Sequence, residues 1–383
     1  MSLHEHTQRG PAFRAGRPDV VAQALLLAAI AAGGWWIWSS VAGGVGQLTA
    51  GGGFDFLGEP ASFELGESLI PFQSGDSYLR AFGAGLSNTL KVSILAMVLS
   101  TLVGLIVALG QLSPSIVIAR ICRTYVETAR NVPLLLQLIF WHTLLTRGLP
   151  SVRQALSPAE GIFLSNRGLY LPAPAADPAH AWIGAALLGG IAAAAALARL
   201  GRGKSWRAPA VWAAVVLPPL AVFLAAGAPL ALDMPALKGF NFQGGIVLSP
   251  EFVAMLVGLT LYVGAFNAEI IRSGILGVNK GQREAGLALG LSNWQVMRKI
   301  ILPQALRIIL PAMTNSYLNV TKESSLAVAI GYPDLVRVSN VALGETGRPI
   351  ECIAIIMAVY LTLSLITSLI LNRLNARARL VER

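Results

Sequence analysis

The chain has 383 residues, 55% of them hydrophobic and only 13% charged, with a formal net charge of +10. Soluble domains carry about 25% charged residues, and a single core stops growing near about 250–300 residues. This much apolar sequence therefore excludes an ordinary soluble enzyme, a disordered chain and a disulfide scaffold, and leaves a polytopic membrane protein.

A spanning helix needs about 20 apolar residues. In chain order the stretches that qualify are Val20–Trp38, Gly85–Leu109, Val126–Leu145, Trp182–Leu200, Val211–Leu232, Phe252–Ile270, Ala305–Leu326 and Cys352–Leu371. The first ends in Trp35, Trp36 and Trp38 with no small-residue cleavage site close behind, which suits a retained helix at a membrane interface better than a signal peptide. A Gly-rich loop, residues 39–84, follows; it holds Asp55, Glu59, Glu64, Glu67 and Asp76 against the single base Arg80. The expected fold is all-α, a transmembrane helical bundle of about eight spans.

The basic residues test this count. With the N-terminus inside, 19 of the 29 Lys and Arg fall on the inner side and 7 on the outer, while Lys91, Arg130 and Lys322 lie in or beside spans. That asymmetry places both termini in the cytoplasm. It also makes the positive charge an orientation signal and gives no reason to expect nucleic acid. The chain divides into a tail, first helix and outer loop (1–84), a first core part (85–149), an insertion carrying a loop and a two-helix hairpin that pads the bundle (150–249), a second core part (250–372) and a basic tail (373–383).

Catalytic chemistry is absent from the sequence. Gly203-Lys204-Ser205 resembles the end of a phosphate loop, but the required first glycine falls on Ala198 inside a span. His4, His6, His142 and His180 have no metal-ligand spacing. Cys122 and Cys352 lie far apart with no ligand nearby, so neither a metal site nor a disulfide framework is expected. No residue qualifies as catalytic.

The informative segment is the polar loop 276–303. Residues Lys280–Ala288 read as a short helix, and Gly290 permits a sharp reversal. Ser292 and Gln295 have capping-box spacing, so a second helix starts there. Pro303 suits the first turn of a third. Leu287, Leu291 and Trp294 form an apolar face suited to a partner's groove.

The run Glu284-Ala285-Gly286, Gly290, Ile300, Leu302-Pro303 resembles the EAA loop of ABC-importer permeases. Four further segments are similar to the polar amino-acid branch of that family: Ser87–Ser93, Tyr125–Gln137, Ala268–Ile275 and Lys322–Leu326. The length, the hairpin and Asn166–Pro172 are most similar to first permease subunits of general L-amino-acid importers. The resemblance implies a type I ABC-importer permease fold that translocates amino acids across the bacterial inner membrane by alternating access. It further implies an ABC ATPase partner that docks on the loop as a coupling helix and holds ATP and Mg, so the chain needs no cofactor of its own. A second homologous permease or a second copy, a periplasmic amino-acid-binding protein and membrane lipid complete the implied surroundings.

Ionisable groups at membrane level are functional candidates. Glu127 with Arg130, and Glu269 with Arg272, are spaced to pair on one helix face and to act as gates or braces. Lys91, one turn inside its span, can extend outward. Asn315, Asn319 and Lys322 fall on one helical face. With Glu323, Ser324 and Ser325 they suit a substrate path, Lys322 meeting a carboxylate and Glu323 or the serines an ammonium group. Interhelical hydrogen bonding is the other reading of this stripe. An ion-coupled secondary transporter would need mid-membrane carboxylates or an inverted repeat, and a non-transporting scaffold would leave the stripe unexplained.

Overall fold

The computed structural model describes residues 53–200 and 207–378, with a few positions between 28 and 39. The first expected span, Val20–Trp38, therefore lies largely outside the described residues, as do residues 379–383 of the basic tail. The chain is mostly helical.

Helix α1, Tyr78–Gln111, begins at Ser77, whose hydroxyl accepts the Arg80 N–H. Next come α2, Ile116–Asn131, and α3, Leu134–Arg147. The expected span Val126–Leu145 is thus split. Pro133 has no N–H to donate and disfavours helical geometry at Val132, which is extended (φ −92°, ψ 124°). Gln137 closes the break: its Nε2 donates to the carbonyls of Ala129 and Val132, each at 2.9 Å.

The insertion corrects the all-α expectation. Strands β1 (Leu156–Ala159), β2 (Ile162–Ser165) and β3 (Gly168–Leu171) are followed by the short β4 (Ala173–Pro174). After the hairpin come β5 (Leu232–Asp233), β6 (Ala236–Lys238), β7 (Asn241–Gln243) and β8 (Ile246–Leu248). β1, β2, β3 and β8 form an antiparallel sheet in that order, with Tyr170 opposite Phe163 on one side and Val247 on the other. Tyr170 is buried and donates to Asn241 at 2.6 Å; burial pushes its phenol above the ordinary range. The Phe163 and Phe242 rings stack beside it at 4.4 Å.

Helices α4, Ala179–Leu200, and α5, Arg207–Ala225, form the expected hairpin. Gly190 lets them touch, since a Cβ there would sit 2.3 Å from the Ala214 carbonyl. Among the described residues the pair packs on itself and makes little contact with other elements.

Helix α6, Pro250–Leu276, is the centre of the molecule and packs on α1, α2 and α3. Glycines allow its close approach to α1: a Cβ on Gly104 would lie 2.6 Å from the Asn267 Cβ. Small residues at such crossings are the usual basis of helix contact in lipid. Beyond α6 lie α7 (Lys280–Ala288), α8 (Asn293–Val296), a π turn (Met297–Ile301) and α9 (Leu302–Glu323). A 3₁₀ segment, Ser324–Ile330, ends at Gly331 (φ +82°), and α10 (Leu335–Thr346) and α11 (Pro349–Ala378) close the chain.

Among the described residues, α1, α4, α6 and α11 are long and apolar enough to span a membrane. A fifth span results if Asn293–Ile330 and Leu335–Thr346, bent by 51°, cross as one. The described residues thus account for four or five of the roughly eight spans expected. One core cluster surrounds Leu138, Phe252, Met255 and Leu259; a second joins Phe56, Tyr78 and Phe82 to Leu335 and Val338; a third holds Val126, Ala268, Ala305 and Ile309.

Candidate coupling loop and polar cavity

The loop after α6 is built by local capping. The Asn279 side chain accepts the Gly281 N–H at 2.8 Å and starts α7. Gly290 (φ +76°) reverses the chain, and the Leu291 N–H returns to the Gly286 carbonyl at 3.2 Å. Ser292 accepts the Gln295 N–H, and the Gln295 side chain accepts the Ser292 N–H at 2.9 Å, which is the capping box read from sequence. Gly286 is buried because α7 rests on α8 and the π turn there. A Cβ at this position would lie 2.7 Å from Ile300 Cδ1 and 2.9 Å from Val296 Cγ2.

Pro303 does not begin a separate helix, as its spacing suggested. The helix runs on from Asn293 through the π turn into α9, with the Leu302 N–H bonded five residues back to Met297. Proline cannot donate to the carbonyl four residues before it and clashes with it, and one wider turn relieves that clash. The short helix of the loop and the membrane-level helix are therefore one rod. The rod's tip and the end of α7 beside it are apolar and exposed: Trp294 is 69% exposed on the rod, Leu289 80% and Leu287 42% at the end of α7. Leu291 is half-buried, Glu284, Ala285, Leu302 and Pro303 are exposed, and Ile300 is half-buried against Gly286.

At membrane level a cavity of about 330 Å³ opens between α6 and α9. Asn315, Ser316, Asn319 and Glu323 line it from α9, and Tyr262, Val263 and Phe266 from α6. The Glu323 Oε2 is buried without a hydrogen-bond partner among the described residues. Lys322 is not part of this lining. It is exposed and, with Ser325, borders a different hollow beside Tyr360 and Ser364 of α11. The face that gathers is Asn315, Asn319 and Glu323, four residues apart at each step. Ser324 is buried, its hydroxyl donating to the Thr321 carbonyl, and that of Ser325 donates to Lys322.

Of the two expected charge pairs, one forms. Arg272 grips Glu269 through two nitrogens, at 2.5 and 3.1 Å. Glu127 is exposed and belongs to no ion pair among the described residues, while Arg130 lies 5.0 Å over the Phe266 ring, next to the cavity. Lys91 extends outward to an ion pair with Glu67.

The model for "binding-protein-dependent transport system inner membrane component" matches residues 100–380. The chain belongs to this family. It is 42% identical over 356 residues to the general L-amino acid transport system permease protein AapQ of Rhizobium johnstonii, covering 91% of this chain and 89% of that one. The protein named "putative amino-acid ABC transporter permease protein YhdX" of Escherichia coli is 43% identical over 91% of each chain. A solved amino acid ABC transporter with histidines shares 25% identity at a TM-score of 0.49, over 78% of this chain and 95% of that one. As a family member with apolar spanning helices, the chain is a multi-pass inner-membrane protein.

Several residues of this inner-membrane component escaped the sequence reading. Asn267, fully buried, donates to Ser100 of α1 at 3.3 Å and accepts from Ser316 of α9 at 2.7 Å, tying three helices together. A lone asparagine in an apolar span was the available signal. Leu289 gave no signal, because its exposure depends on the reversal at Gly290. Glu67 was one acid among five in a loop whose path was not legible.

Proposed function

We propose that this chain is the permease subunit of an ATP-driven amino-acid importer, and that the rod formed by the loop and α9 is its transmission. The observation that carries this reading is the continuity of the helix from Asn293 to Ile330. Trp294 at the exposed tip and the cavity residues Asn315, Asn319 and Glu323 sit on one rigid element, and α7, with the exposed Leu287 and Leu289 at its end, rests on that element through Gly286. Movement of the tip by a docked partner then moves the cavity wall. The partner is an ABC ATPase, which holds ATP and Mg; this chain hydrolyses nothing itself. A periplasmic amino-acid-binding protein delivers the solute, and a second permease, homologous or identical, completes the pathway. Both termini lie in the cytoplasm, on the side of the loop.

Within the cavity, the unpaired carboxylate of Glu323 suits an ammonium group, and Asn315 and Asn319 suit polar neighbours. Arg130 over Phe266 offers a cation to a carboxylate at the cavity's edge; Lys322 points to another surface. Residues 85–149 and 250–372 form the moving core, and 150–249 is an accessory insertion. The relatives named as amino-acid permeases support the substrate class. Purified chain, ATPase and binding protein in liposomes test the proposal by uptake of labelled amino acid. Uptake that requires ATP supports it. Uptake that follows an ion gradient without ATP identifies a secondary transporter, and no uptake at all leaves a scaffold.

A further inference from the structure

The loop before α1 meets α1 and α6 together at Glu67. Glu67, with a side chain 11% exposed, pairs with Lys91 of α1, itself 20% exposed. Its other carboxylate oxygen accepts the Ser249 N–H at the start of α6, at 3.1 Å. The Lys91 ammonium lies 4.1 Å above the ring of Phe252 in the first turn of α6. Asn88 secures the backbone beneath: its Nδ2 donates to the carbonyls of Glu67 and Pro333, both at 2.9 Å, and its Oδ1 accepts the Leu69 N–H at 3.2 Å. The Tyr332 hydroxyl donates to the Asn88 carbonyl at 3.3 Å.

Four parts of the molecule thus converge on the cluster of Glu67, Lys91 and Asn88, the corner through Asn88. They are the outer loop, α1, the first turn of α6 and the corner at Gly331–Asp334, where the chain bends by 51°. The cluster stands at the opposite end of α6 from the coupling loop, about 40 Å away for 27 residues at 1.5 Å each. A mostly buried ion pair is a two-state contact. Removing one partner strands the other charge, so the pair is either engaged or fully parted with both groups in water.

We propose that the Glu67–Lys91 pair is the latch of the outer gate, and that its parting accompanies entry of solute from the binding-protein side. Glu67 is a positioning residue that acts through α1, α6 and the corner and touches no solute. The inference rests on the importer reading above. In that reading, opening of the outer side withdraws the loop from α1, the first turn of α6 and the corner, and docking of the binding protein supplies the force.

The test measures ATP hydrolysis and uptake by the full complex in liposomes, with and without binding protein. Glu67→Gln keeps an oxygen for the Ser249 N–H but removes the charge. Hydrolysis in the absence of binding protein should rise about tenfold, within the usual range of coupling between sites. Lys91→Gln should do the same, and the double variant should rise no further, because both remove one contact. Exchanging the charges, Glu67→Lys with Lys91→Glu, should return hydrolysis toward the wild-type level. Should the Glu67 variants fail to assemble, Lys91→Arg, which preserves the pair, should hydrolyse less ATP than Lys91→Met. Unchanged hydrolysis in assembled Glu67→Gln, additive effects in the double variant, or equal rates in the two Lys91 variants would overturn the latch. Wild-type complex without ATP-driven uptake would overturn the importer reading and the latch together.

Discussion

Gly290 holds a φ of +76° with open space around its Cβ position. Backbone conformation alone therefore demands glycine there. Valine should cost about 1–2 kcal/mol in that turn and release the reversal, so Gly290→Val is expected to lose ATPase in co-purification, while asparagine, which tolerates this conformation, retains it. Glu323 poses the opposite case, a side chain whose chemistry matters and whose backbone is ordinary helix. Glu323→Gln keeps the shape and removes the charge facing the cavity. Uptake should fall about tenfold, corresponding to about 1.4 kcal/mol, with ATPase binding intact; unchanged uptake would remove Glu323 from the solute path. The two residues also differ in legibility. Gly290 and the Ser292–Gln295 box are local and were readable. The partition of Glu323 from Lys322 was not, because it depends on where α6 and α11 lie around α9.

At the scale of elements, prolines decide the breaks. Pro133 divides the expected third span, and Pro303 converts a turn of helix into a π turn without stopping it. The sequence marks both residues as interruptions but does not say whether the chain kinks, ends or widens. Which outcome follows depends on the partners the surroundings offer: Gln137 caps the carbonyls before Pro133, whereas α7, resting on the π turn, keeps the rod continuous at Pro303. Pro303→Ala removes the cause of the wider turn. A regular helix there would rotate the tip by about 100° relative to α9, since each residue turns a helix by that angle. The complex should assemble and hydrolyse ATP with uptake per ATP reduced at least about threefold. Coupling equal to wild type would show that the π turn has no part in transmission.

At the scale of the molecule, the core and the insertion are nearly independent. The α4–α5 hairpin packs on itself, and strands β4 and β5 pair Ala173 with Asp233 and Pro174 with Leu232, so its two ends lie side by side. Replacing residues 176–230 with a short Gly-rich turn should leave assembly and uptake within about twofold of wild type. A collapse of uptake with the complex still assembled would assign the hairpin a role in transport. The outer loop is the contrast, for its Glu67 and Asn88 contacts join it to the core, and its removal should not be neutral.

Composition and the spacing of apolar, glycine and capping residues determined by themselves that this is a helical membrane protein with a short two-helix loop poised to meet a partner. Those features follow from solvent preference and from contacts within a few residues. Only the tertiary structure decided the sheet in the insertion, the cavity face, the failure of Glu127 to meet Arg130 and the burial of Glu67 against Lys91. Each depends on how distant segments approach one another, and in an apolar bundle that approach is set by small-residue contacts such as Gly104 on Asn267, whose partners a single sequence does not name.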